Sequence, residues 1–252
     1  MHRFYVSPAQ IQGNAIFLDG REAHHALHVL RLRKAAAVVV LNGQGVELSC
    51  EVQEIRKADL TLLVRERKSF PELKPRITLF QAIPKGKIIE DIIEKATELG
   101  VSRVVPLLTE RTITHLDHDD AVAKQQKWQQ VAIEAIKQCG QPWLPRVEAP
   151  ISLQKCLEHK DSFDFGLVGS LEAGSRIPRE VFQEWWSTHS PLETNIAVWI
   201  GPEGDFTAQE YAGIRTIGTI PITFGSLVLR VETAAVFALS VIRYEGLGRY
   251  GK

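Results

Sequence analysis

The first part of the chain alternates short apolar runs with turn sequences. The runs lie at residues 15–18, 38–41, 46–52 and 60–64, and Asn42-Gly43 separates two of them. Short β-branched segments joined by Asn-Gly turns are typical of a small β-barrel or sandwich. Over residues 22–30 the pattern instead predicts a helix. We therefore predict a small β domain interrupted by one helix.

A polar segment with two prolines follows at residues 68–75, which read KSFPELKP. Proline and mixed charge are typical of an exposed linker. We therefore predict a domain boundary here, with one domain at residues 1–72 and a second at residues 73–252.

Beyond this segment the apolar pattern predicts strands that alternate with helices. The predicted strands are 77–83, 101–107, 163–168, 196–200 and 220–224, and the predicted helices are 88–99, 122–138, 208–217 and 233–244. Such alternation indicates a mostly parallel sheet that is covered by helices on both faces. The second domain is therefore predicted to be α/β.

The composition is that of an ordinary globular protein, with 44% hydrophobic and 24% charged residues among 252. No apolar run approaches the roughly 18 residues of a membrane-spanning helix, and the start of the chain lacks the apolar stretch of a secretory signal. We expect no membrane association and a location in the cytoplasm. The cysteines Cys50, Cys139 and Cys156 are widely spaced and odd in number, so we expect free thiols.

The formal net charge is zero, so any binding of nucleic acid must depend on local patches. One basic stretch lies between residues 21 and 34. It contains Arg21, His24, His25, His28, Arg31, Arg33 and Lys34, and only Glu22 opposes them. A basic surface helix that contacts phosphate and an ordinary solvated face are both compatible with this pattern. His24 and His28 are one helical turn apart, but no third ligand accompanies them, and we expect no metal.

The sequence IGPEGDF at residues 200–206 is the sharpest local signal. It follows an apolar strand and precedes a helix, whose start is marked by a capping box of Thr207 and Glu210. Its glycines are therefore predicted at the carboxyl end of a strand, where α/β folds bind ligands. A plain tight turn is the alternative. The loop matches neither GxGxxG nor a phosphate-binding loop, which argues against NAD and nucleoside triphosphates.

A second signal begins at Phe224, where a strand leads into a Gly-Ser loop and then into an apolar helix. Arg230 and Glu232 flank the start of that helix. A helix amino end and an arginine together favour the binding of a negatively charged group. The alternative is that Glu232 only complements the helix dipole and Arg230 only caps the surface. Two glycine-bearing strand ends in one sheet indicate a shared pocket. The sequence has no GxSxG motif and no cysteine beside a histidine, so covalent catalysis is not supported.

Several motifs in order match a known family. They are EAHH at 22–25, VLR at 29–31, KG at 85–86, KATELGV at 95–101, ER at 110–111, EA at 134–135, Gln138, IGPEG at 200–204 and LRVETA at 229–234. The chain resembles the ribosomal RNA uridine-N3 methyltransferase family of the SPOUT superfamily over nearly its whole length.

The resemblance implies a PUA-like, RNA-binding β-barrel at residues 1–72 and a SPOUT methyltransferase domain with a deep trefoil knot at residues 73–252. It implies S-adenosylmethionine as the cofactor, ribosomal RNA or the small ribosomal subunit as the partner, and a homodimer without metal. The implied cofactor residues are Val168, Gly169, Ser170, Ile200, Gly201, Pro202, Glu203, Gly204, Phe224, Gly225, Leu227 and Leu229. The implied RNA-binding residues are Arg3, Arg21, His25, Arg31, Arg33, Lys34, Lys85 and Lys87.

For catalysis, Arg230 is expected to stabilise negative charge on the uracil oxygens, and Glu232 is expected to orient Arg230 or to accept the proton. Some positions depart from the family pattern: Asp205 stands where a third glycine is usual, Leu227 replaces a common arginine, Ala36 and Ala37 replace a Gly-Asp turn, and Lys137 and Gln141 replace a glutamate and an arginine. Three rival functions are a SPOUT enzyme with another RNA target, a non-catalytic RNA-binding assembly protein and a small-molecule α/β enzyme.

Overall fold

The computed structural model describes residues 1–112, 118–159 and 161–247. The chain divides into two compact units. The first contains Met1–Glu72 and Ile133–Leu144, and the second contains Leu73–Ala132 and Pro145–Lys252. Residues 133–144 thus lie with the first unit, whereas the sequence pattern placed them in the second domain.

The first unit is built on one six-stranded sheet. Its strands are β1 (His2–Tyr5), β2 (Ile11–Gln12), β3 (Ala15–Leu18), β4 (Ala37–Leu41), β5 (Val46–Ile55) and β6 (Leu60–Ser69), in the order β1-β4-β5-β6-β3-β2. β1 pairs with β4 in parallel, and the other pairs are antiparallel. A 3-10 turn lies at Pro8–Gln10, and α1 (Gly20–His24) continues into a π-helical turn at His25–Val29.

The four predicted strands of this unit are confirmed, and β1 and β2 were not predicted. The segment predicted as a linker, residues 68–75, overlaps the end of β6. Lys68 and Ser69 belong to β6, where they pair with Glu47 and Val46, and Pro75 is buried. Lys68 and Ser69 lie at the end of β6 that is far from the turn between β5 and β6, and the side chains there are exposed and mostly charged. The composition therefore resembles that of a linker, although the backbone is hydrogen-bonded to β5.

The segment 133–144 is attached to the first unit by specific contacts. The Lys137 ammonium lies 2.8 Å from Glu22 Oε1 and 3.0 Å from Glu134 Oε2. The Arg3 guanidinium donates to the carbonyls of Lys137 and Gln138 at 3.2 and 3.1 Å. Since a buried ammonium needs a paired carboxylate, these contacts explain why Lys137 is compatible with this position.

The second unit is built on a seven-stranded parallel sheet. Its strands are β7 (Arg76–Ala82), β8 (Arg103–Leu108), β9 (Arg146–Val147), β10 (Ile151–Ser152), β11 (Phe165–Gly169), β12 (Asn195–Ile200) and β13 (Thr219–Ile222). The order is β10-β8-β7-β12-β11-β13, and β9 pairs with β8. The helices that follow β7 are α2 (Ile88–Glu98), α3 (His118–Cys139), α4 (Leu153–Glu158), α5 (Pro178–Trp186), α6 (Ala208–Thr216) and α7 (Val231–Leu247).

The predicted parallel sheet with two covered faces is confirmed. Trp199 and Phe80 stack with ring centroids 4.3 Å apart in the core cluster that includes residues of α4 and α6. The alternate residues Leu79 and Val198 are also fully buried, as expected when helices cover the other face. α4 and α5 were not predicted. None of the helices in the described ranges is both long and apolar enough to cross a membrane.

Candidate functional site

The strand order brings three loops together. β12, β11 and β13 are adjacent and parallel, so their carboxyl ends meet at one edge of the sheet. The loops that leave these ends surround a cavity of about 430 Å³. The lining residues are Ile88, Gly169, Ser170, Leu171, Ile200, Gly201, Pro202, Glu203, Asp205, Phe224, Leu227, Val228, Leu229, Arg230, Val231, Glu232 and Ala234. The shared pocket predicted from the two glycine-bearing loops is therefore present.

Most of the expected cofactor residues line this cavity, and three do not. Val168 is fully buried in the core, and Gly204 and Gly225 are not among the lining residues. Other residues that line the cavity were not predicted from the sequence. Ile88 begins α2 and reaches the cavity because β7 is the neighbour of β12, a pairing that no local motif signals.

Two glycines let the loops approach each other closely. A Cβ on Gly169 would lie 2.9 Å from Phe224 Cε2 and 3.3 Å from Ile200 Cδ1. A Cβ on Gly201 would lie 2.8 Å from Asp205 Oδ1. Real Cβ atoms essentially never come within 3.0 Å of other heavy atoms, so a larger residue at either position would force a neighbouring side chain to shift.

The loop after β12 is held by contacts from neighbouring loops. Glu203 Oε1 accepts a hydrogen bond from the Lys85 backbone N–H at 2.9 Å, and the Arg111 guanidinium donates to the Gly204 carbonyl. The predicted capping box is also present: Thr207 Oγ1 accepts from the Glu210 backbone N–H at 3.3 Å, and Glu210 Oε2 accepts from the Thr207 backbone N–H at 2.9 Å. The loop is therefore fixed in position by backbone and side-chain hydrogen bonds.

Arg230 and Glu232 lie on the cavity wall at the amino end of α7. Arg230 is exposed and immediately precedes the helix, and Glu232 is half-buried in its first turn. Within the described part of the chain, neither side chain has an ion pair or a hydrogen bond. The helix amino end and the guanidinium together place positive charge beside the cavity. No direct contact supports the expectation that Glu232 orients Arg230.

The basic residues of the first unit fall into two groups. Arg31, Arg33 and Lys34 are exposed, and their side chains have no partner among the described residues. Arg21, by contrast, lies 3.4 Å from Glu134, and His25 packs edge-on against Phe4 with ring centroids 6.3 Å apart. The second group, which also includes Arg3, therefore makes contacts inside the unit.

Two further basic residues that were expected to bind RNA lie in the second unit. The side chains of Lys85 and Lys87 are exposed on the loop between β7 and α2. Elsewhere, the rings of His24 and His28 lie with centroids 4.8 Å apart. In residues 1–112, 118–159 and 161–247, no group of three or more His, Cys, Asp or Glu side chains is placed to hold a metal ion.

Two family models match the chain. The model of an RNA methyltransferase domain matches residues 71–243, and that of an RNA methyltransferase PUA domain matches residues 18–64. The first match covers more than half of the chain.

Among curated proteins, the chain is 30% identical over 249 residues to Ribosomal RNA small subunit methyltransferase E of Bacillus subtilis (strain 168), covering 97% of each chain. Among solved structures, it is similar to Ribosomal RNA small subunit methyltransferase E of Neisseria gonorrhoeae bound to S-adenosyl methionine, with a TM-score of 0.83, 25% identity and 97% of each chain covered. A Legionella pneumophila protein solved with its bound cofactor SAM gives a TM-score of 0.84 at 28% identity, with 96% of each chain covered.

Proposed function

The chain belongs to the RNA methyltransferase family of ribosomal RNA small subunit methyltransferase E, and from this membership we propose that it methylates ring nitrogen 3 of a uridine in small-subunit (16S) ribosomal RNA, with S-adenosylmethionine as the methyl donor. The observation that carries the proposal is the cavity formed where β11, β12 and β13 end. Its place at the carboxyl edge of a parallel sheet is where α/β folds bind ligands.

The residues of the cavity fit this cofactor. Its volume of about 430 Å³ lies within the range of about 300–1,000 Å³ common for cofactor sites. Gly169 and Gly201 line the cavity without side chains, so a ligand can approach their backbone closely. Phe224 and Leu229 offer apolar surface for a flat ring. The Neisseria gonorrhoeae relative carries S-adenosyl methionine, which supports the same ligand here.

Arg230 and Glu232 are proposed to act on the uridine. S-adenosylmethionine, when bound, supplies an electrophilic methyl group on a sulfonium and needs no metal. Ring nitrogen 3 must lose its proton as it attacks that methyl group, and Glu232, which lines the cavity, is proposed to accept that proton. Arg230 and the amino end of α7 stabilise the negative charge that spreads onto the uracil oxygens.

The first unit is proposed to bind RNA as a PUA-like β-barrel at residues 1–72, and residues 73–252 are proposed to form the methyltransferase domain. The match of residues 18–64 to the PUA domain of RNA methyltransferases supports this assignment. The exposed cations Arg31, Arg33 and Lys34 are suited to phosphate contacts. A cytoplasmic location follows from ribosomal RNA as substrate.

We also propose a homodimer and a trefoil knot in the second unit. Phe237, Tyr244 and Leu247 are exposed on α7 at a spacing that places them on one helical face. An exposed apolar face of this kind is typical of an association surface. Sedimentation analysis tests the dimer, and an experimental backbone trace of the second unit tests the knot, which the family resemblance supports.

The function is tested by incubating the purified protein with labelled S-adenosylmethionine and small ribosomal subunits that lack the modification. Label at ring nitrogen 3 of one 16S uridine is the expected result. Label on another base would assign a different target within the same fold. Binding of RNA without cofactor binding or label would contradict the enzymatic proposal.

A further inference from the structure

Asp205 has a backbone conformation that is unfavourable for its side chain. Its φ is 61°, in the left-handed region that glycine enters freely and other residues enter at a cost. The family resemblance places a glycine at this position. A residue that stays in this region at a binding cavity needs contacts that compensate for the strain, and such strain is often found at functional sites.

The Asp205 carboxylate makes these compensating contacts. Its Oδ1 accepts hydrogen bonds from the Phe206 backbone N–H at 2.9 Å and from the Tyr211 hydroxyl at 2.8 Å. The absent side chain of Gly201 leaves the space that Oδ1 occupies. Asp205 is therefore fixed against both its own loop and α6.

The Tyr211 hydroxyl connects two walls of the cavity. It lies 3.0 Å from the Gly169 carbonyl oxygen at the end of β11 and 2.8 Å from Asp205 in the loop after β12. Gly169, Gly201 and Asp205 all line the cavity. The single proton of the hydroxyl is shared between the two acceptors, so this one group spans the two loops.

The Tyr211 hydroxyl, which joins Gly169 and Asp205, is protonated under physiological conditions. Tyr211 is almost completely buried, with 3% of its surface exposed. This burial, together with the negative charge of Asp205, raises the pKa of Tyr211, whereas a hydrogen bond from the Ser170 side chain lowers it. The hydroxyl therefore keeps the proton that it donates.

We infer that Asp205 and Tyr211 form a positioning pair that sets the separation of the Gly169 and Gly201 backbones, and thereby the affinity of the cavity for its cofactor. The identity of that cofactor as S-adenosylmethionine rests on the proposed function. Neither side chain takes part in methyl transfer. The pair should act on cofactor binding and leave the rate at saturating cofactor nearly unchanged.

The test compares the wild-type protein with four variants: Tyr211→Phe, Asp205→Asn, Asp205→Gly and the double variant Asp205→Gly/Tyr211→Phe. Calorimetry gives the Kd for S-adenosylmethionine, and methylation of small ribosomal subunits gives kcat and the KM for each substrate. Tyr211→Phe should raise the cofactor Kd and KM about tenfold, the factor expected for a hydrogen bond to a charged group. Both kcat and the KM for the ribosomal substrate should stay close to wild type.

The other variants separate positioning from packing. Asp205→Asn keeps a side-chain acceptor and should retain most of the affinity. Asp205→Gly should lose affinity, and adding Tyr211→Phe to it should cause little further loss, because the two residues act through one contact. Tyr5→Phe in the first unit is the matched control and should leave the cofactor Kd unchanged.

Thermal unfolding without ligand completes the test. If Tyr211→Phe and Asp205→Gly lower the Tm but leave the cofactor Kd and KM unchanged, the pair is purely structural and the inference is wrong. Wild-type protein that binds no S-adenosylmethionine would overturn both the proposed function and the pair. If the wild type binds S-adenosylmethionine and every variant binds it with the same affinity, the inference about the positioning pair is wrong and the proposed function stands.

Discussion

The cavity of the second unit and the basic segment of the first are built in opposite ways. Beside the cavity, Glu203, Gly204 and Asp205 are each hydrogen-bonded to a different segment of the chain. In the basic segment, Arg31 and Arg33 are exposed and have no side-chain partners in the part of the chain that the structure describes. One region depends on fixed geometry, and the other depends on charge.

This difference determines how each region responds to mutation and to salt. The hydrogen bond between Tyr211 and Asp205 is partly buried, so salt screens it little, and its loss would leave a polar group unpaired. Exposed charges act over roughly 8 Å at physiological ionic strength, and salt weakens them. Changes at the cavity should therefore be large and insensitive to salt, whereas changes in the basic segment should be graded and salt-dependent.

The largest effect is expected for Arg230→Ala. Loss of a group that stabilises transition-state charge typically lowers the rate by about 100-fold or more, so single-turnover methylation should fall by that factor. The cofactor Kd should change much less. Arg179→Ala, which removes another exposed arginine of the same unit, is the control. A single-turnover rate equal to that of wild type would remove Arg230 from the mechanism.

The next effect is expected for Gly169→Ala. The new Cβ would lie 2.9 Å from Phe224 Cε2, so the Phe224 ring, which lines the cavity, must shift. Calorimetry should show cofactor affinity reduced by about five- to 100-fold, because overpacking typically costs about 1–3 kcal/mol. Gly213→Ala is matched to it, since its Cβ would lie 2.9 Å from Leu157 Cδ1 and Gly213 does not line the cavity. Equal losses of affinity in the two variants would contradict this account of the cavity wall.

Thiol labelling should distinguish the two units in one experiment. Cys50 is buried in the first unit and Cys156 in the second, and burial raises the pKa of each thiol to about 11. At pH 8 both are protonated and should react only when their unit opens. S-adenosylmethionine at ten times its Kd should slow labelling of Cys156 about tenfold, because it binds the closed unit. Labelling of Cys50 should be unaffected. Equal protection of both thiols would show that the units open together.

The smallest effects are expected in the basic segment. Alanine in place of Arg31, Arg33 or Lys34 should each weaken RNA binding a few-fold at physiological salt. Each should also reduce the slope of log K against log salt by about one, since one phosphate contact is lost. Lys57→Ala, an exposed lysine of the same unit, is the control. An unchanged slope in the triple variant would exclude this segment from the RNA-binding surface.

The local pattern of the chain was sufficient to predict most of the regular structure. Alternating apolar runs located the central strands of both units, and the Thr207–Glu210 capping box located the start of α6. These features depend on residues close together in sequence, so they can be recognised without the fold. The helices α4 and α5 were missed.

The sequence by itself also predicted that the glycine-bearing loops share a pocket, and it pointed to Arg230 and Glu232 beside them, because such residues leave a local signature. The tertiary structure alone decided which other residues share the cavity. Ile88 reaches it through the pairing of β7 with β12, and Asp205 is joined to Gly169 through the Tyr211 hydroxyl. Residues 133–144 likewise join the first unit through contacts such as that of Lys137 with Glu22. Contacts between distant segments depend on strand order and side-chain packing, and neither is encoded in the spacing of any short motif.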